Sequence, residues 1–153
     1  MKGVITGIKT NAELVDAYNN IRKNAGKKFN GVLAQEQVNG TEVIIGGKTD
    51  PQFGPVILFG IGGVFTEIFK DYSLKLPPIT PKKAGSMLKE IKAHELLEGY
   101  RGKQGINTKE LERTIVQASK LMNDARVREF DLNPIICNEK ECVCVDARII
   151  TLQ

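Results

Sequence analysis

Near the end of the chain Glu129, Asp131 and Asn133 alternate with Phe130 and Leu132, and Asp146 and Arg148 follow in a second polar and apolar stretch. A period of two belongs to a strand with one buried face. The other face then carries mainly oxygen donors. A return strand over 142–149, joined through a four-residue turn at 138–141, predicts an antiparallel hairpin. With no bulge, Cys137 faces Cys142, Ile135 faces Cys144, Asn133 faces Asp146, and Asp131 faces Arg148. Opposed residues hold their Cβ atoms about 5 Å apart. An amide oxygen and a carboxylate at that spacing suit one shared Mg²⁺, a hard cation that prefers oxygen. A solvated strand face with an Asp131–Arg148 pair fits the alternation as well. Asp and Asn are poor strand formers, however, and local rules break most often at functional sites.

Composition narrows the class. The 153 residues suit one domain or part of one, and 41% hydrophobic with 26% charged residues is ordinary for a globular chain. There is no Trp, so the core must be aliphatic with a few Phe and Tyr. A net charge of +4 arises from 22 Lys and Arg against 18 Asp and Glu. The basic residues are scattered, which argues against nucleic acid as a partner and remains compatible with phosphate-rich small ligands. No stretch approaches the ~20 apolar residues of a membrane span, and no signal peptide is visible. The expectation is a cytoplasmic protein with no membrane partner. The three cysteines all lie in the tail hairpin and do not read as a disulfide framework. A Cys137–Cys142 cross-strand bond is open on geometry. Zinc lacks a fourth ligand, because His94 is distant in sequence, and buried thiols acting as small hydrophobes are the simpler reading.

The elements that must position these residues read as α+β, a mostly antiparallel sheet with flanking helices. Residues 3–9 read as a strand. Thr10 and Glu13 form a capping box for a helix with Leu14, Tyr18 and Ile21 on its apolar face, closed by Gly26. Residues 32–38 and 41–46 read as strands joined at Asn39-Gly40, a hairpin signal. A loop over 48–51, a strand over 56–59, a flexible glycine turn at 60–63, a short helix over 64–69 and an edge strand over 73–76 follow. Thr80-Pro81 opens a helix striped by Ala84, Met87, Leu88 and Ile91. Asn107 and Glu110 open another, lined by Leu111, Ile115, Ala118 and Met122.

Other candidates are weaker alone. Gly60, Gly62 and Gly63 follow a strand, where backbone amides can cradle phosphate, although a plain turn explains them more simply. Glu36 ends one strand and Glu42 begins the next, placed for an adenine amino group or ribose hydroxyls, or as polar edge residues. Glu67 and Lys70 fit a helix-face ion pair. His94 invites a phosphohistidine reading but is also explained by capping at a helix end.

Taken in order, segments 42–46 (EVIIG), 50–56 (DPQFGPV), 59–63 (FGIGG), 96–102 (LLEGYRG), 129–134 (EFDLNP) and 145–148 (VDAR) resemble the ATP-grasp domain of ADP-forming acetyl-CoA and acyl-CoA synthetases, relatives of succinyl-CoA synthetase β. The resemblance spans essentially the whole chain. It implies a reversible conversion of acyl-CoA, ADP and phosphate to acid, CoA and ATP, through an acyl phosphate and a phosphohistidine. Carried over by motif, it implies Mg²⁺ and ATP or ADP as cofactors, with Asn133 and Asp146 on the metal and Asp131 supporting them. Glu36 falls to the adenine side and Glu42 to the ribose. Gly60, Gly62, Gly63 and Glu67 fall to the phosphate-transfer end, and Arg101 to a phosphate. Residues 2–9 look like the stretch that follows the family's histidine-containing segment. The expectation is therefore the C-terminal part of an ATP-grasp domain over 1–153, inactive alone. Its expected partners are a CoA-binding subunit or domain and a chain supplying the remaining segment, or a second copy of itself. The alternative is a non-catalytic remnant or assembly module that kept the sheet.

Overall fold

A computed structural model describes residues 3–63, 66, 68–100, 102 and 104–152. The chain divides into two compact units, Met1–Val38 and Asn39–Gln153.

The first unit is built around helix α1, Asn11–Ala25. The expected capping box is present: Glu13 N–H donates to Thr10 Oγ1 at 3.2 Å, and Thr10 N–H donates to Glu13 Oε2 at 3.0 Å. Gly26, with φ 53°, ends the helix. Residues 3–9 and 32–38, expected as strands, are not strands. Neither has a partner strand among the described residues, and an extended segment without a ladder does not satisfy its backbone. Gly7 N–H instead donates to the Gln37 side chain at 2.7 Å. The expected apolar face of α1 is also left open, with Leu14 and Tyr18 exposed and only Ala17 buried. Tyr18 packs edge-on against Phe29, ring centroids 5.6 Å apart.

The second unit is a six-stranded sheet backed by helices. Strands β1 (Thr41–Asp50), β2 (Gly54–Ile61) and β3 (Tyr72–Lys75) are followed by α2 (Pro81–Glu90), α3 (Glu95–Glu98) and α4 (Thr108–Ser119). The chain returns through β4 (Val127–Cys137), β5 (Cys142–Cys144) and β6 (Ala147–Thr151). The order is β3-β2-β1-β4-β5, with β6 also on β4, and every pairing is antiparallel.

Val43, Ile45, Ile57 and Phe59 point to one face and are fully buried against Met87, Ile91, Leu111 and Ile115 from the helix layer. Thr80 and Asn107 cap α2 and α4, accepting from Lys83 N–H and Glu110 N–H, as their spacing predicts. Asp71 is buried and accepts from Lys92 and Ala93 N–H, each at 2.8 Å, which secures the turn after α2.

Two local readings need correction. Asn39-Gly40 is not a hairpin turn. The turn comes after Asp50, whose carboxylate accepts from Gln52 and Phe53 N–H at 2.8 and 3.0 Å, and Gly54 supplies φ 73°. β1 therefore runs straight through Gly46 and Gly47. Gly47 stands opposite Phe130, and a Cβ there would overlap the Phe130 ring. The missing side chain gives that ring its place in the core.

No helix among the described residues is long and apolar enough to cross a membrane.

Candidate metal and nucleotide site

β4 is the strand that builds the site. Phe130 is buried on the helix side, so Glu129 and Asp131 fall on the opposite face, at half burial, with Asn133 exposed. Against β1 the register shifts between Val43 and Ile45. The extra residue is on β4, at the Asn133–Pro134 peptide opposite Ile44, and that peptide is cis. The bulge changes the parity of the strand, and Ile135 and Cys137 are the buried residues beyond it.

The hairpin register is the one expected. Cys137 pairs with Cys142, Ile135 with Cys144, and Asp131 with Arg148. Asn133 N–H donates to the Asp146 carbonyl at 3.1 Å, and Val145 N–H to the Pro134 carbonyl at 3.0 Å. The return strand expected over 142–149 is broken at Val145-Asp146, opposite the bulge, into β5 and β6. The turn closes as expected, with Asn138 N–H donating to the Glu141 carbonyl at 2.9 Å.

The outer face is acidic at this point. Burial pushes the Asp131 carboxyl above its ordinary range, the charges of Glu129 and Asp146 push it further, and Arg148 opposes them. Unrelieved repulsion among carboxylates is what a cation removes. Among the described residues no group of three His, Cys, Asp or Glu is placed to enclose a metal ion. The oxygen-bearing side chains gathered here are the Asn133 amide and the Asp146 and Asp131 carboxylates. That suits Mg²⁺, which is commonly held by one or two carboxylates with phosphates and water completing its shell.

The second unit carries two concavities. One is a trough of about 630 Å³ on the outer sheet face, running from Glu129 and Asp131 past Gly46 and Lys48 to Leu58, Leu74 and Phe53. The other, about 740 Å³, lies at the end of the sheet and is lined by Glu42, Gly62, Tyr100, Gln104 and Asn138. Glu42 is exposed at the start of β1, while Glu36 is exposed in the first unit. The glycine segment is more structural than expected. Gly60 lies inside β2, where a Cβ would meet Thr66 Oγ1 at 2.5 Å and the Asp71 carbonyl at 3.1 Å. Gly62 is buried and its N–H donates to the Glu42 carbonyl at 2.8 Å. Gly63, with φ 66°, is exposed. Glu67 and Arg101 lie outside the described residues, as do residues 64 and 65 of the short helix expected over 64–69. His94 precedes α3 and makes no capping bond with its side chain.

Sequence reasoning missed the trough, although Val56, Leu58 and Leu74 alternate with core residues and signal a second apolar face. It also preferred free thiols, whereas Cys137 and Cys142 form a disulfide and Cys144 is free and exposed.

An antiparallel sheet backed by helices matches the ATP-grasp neighbours of known structure. The chain belongs to the ATP-grasp family, in the branch of the β subunits of ADP-forming acetyl-CoA synthetases; the ATP-grasp domain pattern matches residues 1–151. It is 39% identical over 155 residues to the acetate–CoA ligase (ADP-forming) I subunit beta of Pyrococcus furiosus, covering 97% of this chain and 67% of the relative. It is 41% identical over 157 residues to the 4-hydroxybutyrate–CoA ligase (ADP-forming) of Nitrosopumilus maritimus, covering 96% of this chain and 22% of that protein. In structure it resembles the acetyl-coenzyme A synthetase 1 of Candidatus Korarchaeum cryptofilum in complex with coenzyme A and Mg-AMPPCP, whose phosphohistidine segment points towards the nucleotide binding site. That match has a TM-score of 0.82 at 36% identity, over 98% of this chain and 68% of the other. The chain thus spans about two thirds of the β subunit it matches and about a fifth of the larger ligase.

Proposed function

We propose that this chain is the Mg-nucleotide-binding part of an ADP-forming acyl-CoA synthetase, acting with a CoA-binding subunit or domain and with the rest of an ATP-grasp domain. The observation that carries the reading is the pairing of Asn133 with Asp146 across the hairpin, beside the crowded Asp131 carboxylate. Asn133 and Asp146 are the metal donors. Asp131 adds negative charge behind them, and Arg148, opposite Asp131, balances it. Glu42 faces the concavity at the sheet end and is assigned to the ribose. When bound, Mg²⁺ neutralises phosphate charge and aligns the transferred group, the main source of catalysis in phosphoryl transfer. The protein's share is positioning: alternation along β4 turns the donors outward, and the bulge at Asn133–Pro134 resets the parity so that Ile135 and Cys137 anchor the strand beyond it in the core. Support from relatives is consistent, because the matched synthetase was seen with coenzyme A and an Mg-bound ATP analogue.

Calorimetric titration with Mg-ADP tests the reading. The parent chain should bind, and an Asn133→Ala, Asp146→Ala double variant should bind about a hundredfold more weakly. Retained affinity in the variant would remove the metal site from the hairpin. A second reading, an assembly module, draws on the open faces of the first unit, where Val4, Val15 and Leu33 are exposed. Light scattering that shows concentration-dependent association, together with no Mg-ADP binding, would favour it.

A further inference from the structure

The tip of the metal-bearing hairpin carries all three cysteines of the chain. Cys137 on β4 and Cys142 on β5 are directly opposed, with Cα atoms 4.1 Å apart, and their sulfurs are joined. Cys137 is fully buried, Cys142 is half-buried, and Cys144 is exposed and free.

The bond joins the shorter of the two return strands to β4. β5 has only three residues, pairs with β4 alone and ends at the Val145-Asp146 break. Past that point two backbone bonds, Asn133 N–H to Asp146 and Val145 N–H to Pro134, hold Asp146 beside Asn133. Register matters more here than elsewhere in the sheet, because a one-residue slip sends a side chain to the other face. Asp146 would then leave the face that carries Asn133. The turn is also tethered to the helix layer: Asn107 N–H donates to the Asn138 carbonyl at 2.8 Å, and the Asn107 side chain donates to the Lys140 carbonyl at 3.3 Å. Loss of the disulfide would loosen the hairpin without releasing it.

We propose that the Cys137–Cys142 disulfide is a redox-sensitive positioning element that holds Asn133 and Asp146 in register, so that its reduction weakens the Mg-nucleotide site. The nucleotide half of this statement rests on the function proposed above. The chemistry is thiol–disulfide exchange with a dithiol reductant. One reductant thiolate attacks Cys142 Sγ, the reachable sulfur. The Sγ–Sγ bond breaks, its electron pair leaves on Cys137 Sγ, and that sulfur takes a proton. The second reductant thiol then attacks the mixed disulfide, frees Cys142 as a thiol and leaves the reductant as a disulfide. Two electrons and two protons pass to the protein.

The test compares the air-oxidised and dithiothreitol-reduced chain in three measurements. Thiol titration in denaturant should count one thiol, Cys144, in the oxidised chain and three after reduction. Amide hydrogen exchange at Asn133 and Val145 should quicken on reduction, while that at Ile45 and Phe59 stays slow. The Mg-ADP dissociation constant should rise about tenfold, a modest share of what a small-loop disulfide supplies. A Cys144→Ser variant should keep the whole response. A Cys137→Val, Cys142→Val variant, which keeps an apolar cross-strand pair, should be blind to reductant. Three thiols in the oxidised chain overturn the proposal. So do unchanged exchange and unchanged Mg-ADP affinity on reduction, and in that case intact binding leaves the nucleotide reading standing. Faster exchange with no Mg-ADP binding in either state supports the register role and overturns the nucleotide reading.

Discussion

The two faces of the six-stranded sheet are made by the same strands and obey different rules. On the inner face Val43, Ile45, Ile57 and Phe59 are wholly buried under the helices. On the outer face Leu74 and Phe53 remain 49% and 68% exposed, and Glu129, Asp131 and Asn133 stand where a stability-driven strand would place Val or Thr. β4 passes through both regimes residue by residue, Phe130 inward and Asp131 outward. The difference separates what the fold needs from what a ligand would need. Inner-face changes should act on stability, and outer-face changes on binding.

The sharpest break of that comparison is Phe130→Ala. Its ring fills the space above Gly47 and is wholly buried in the core. A loss of about 3–5 kcal/mol is expected in chemical denaturation. A loss below about 1 kcal/mol would mean that β4 is anchored elsewhere. Next comes the Asn133→Ala, Asp146→Ala pair. Both residues are exposed, so the denaturation midpoint should hardly move. Mg-ADP affinity should fall about a hundredfold, ~2.7 kcal/mol. Equal losses of stability and affinity would erase the distinction between the faces.

The hairpin was legible in the sequence because three independent signals agreed: alternation over 129–133, a polar turn at 138–141, and apolar residues on the return. Its interruption at Val145-Asp146 was not legible, because it answers a bulge across the sheet at Asn133–Pro134, a pairing that no local pattern encodes. The same limit explains the Asn39-Gly40 misreading. That dipeptide is a strong local signal, but β1 takes its partners from β2 and β4, so the turn falls at Asp50 instead. Gly46-Gly47 looked like the end of a strand, and only the Phe130 ring shows why a strand interior needs Gly47. In the first unit the helix and its capping box were readable because both are local. The strands expected at 3–9 and 32–38 were not secure, since a strand exists only with its partner. Of the proposed site, the donors on β4 and the return strand could be read from spacing. The trough could not, because it is assembled from four strands.

Leu58→Ala probes the outer face away from the metal donors. The side chain is half-buried in the trough, so a cost of about 1 kcal/mol is expected, well short of that for the inner-face Phe130. A cost as large as that of Phe130→Ala, read from the same denaturation curves, would show that the trough is closed in solution by another surface.

The smallest effect has the most telling sign. Burial and the charges of Glu129 and Asp146 raise the Asp131 carboxyl above its ordinary value in the folded chain. The folded state therefore takes up this proton at higher pH than the unfolded state. Stability is lowest above the folded value and recovers as pH falls through it towards the unfolded value. Asp131→Asn removes the charge and should stabilise the chain at neutral pH by less than about 0.5 kcal/mol, because the site is partly solvated. The advantage should vanish below pH 4, where the parent carboxyl is protonated in both states. Saturating Mg-ADP at neutral pH should reverse the order, since a ligand that draws on the Asp131 charge stabilises the parent more than the variant. A variant that remains the more stable of the two in saturating Mg-ADP would place the crowded carboxylate outside the metal site, leaving Asn133 and Asp146 as its donors on this chain.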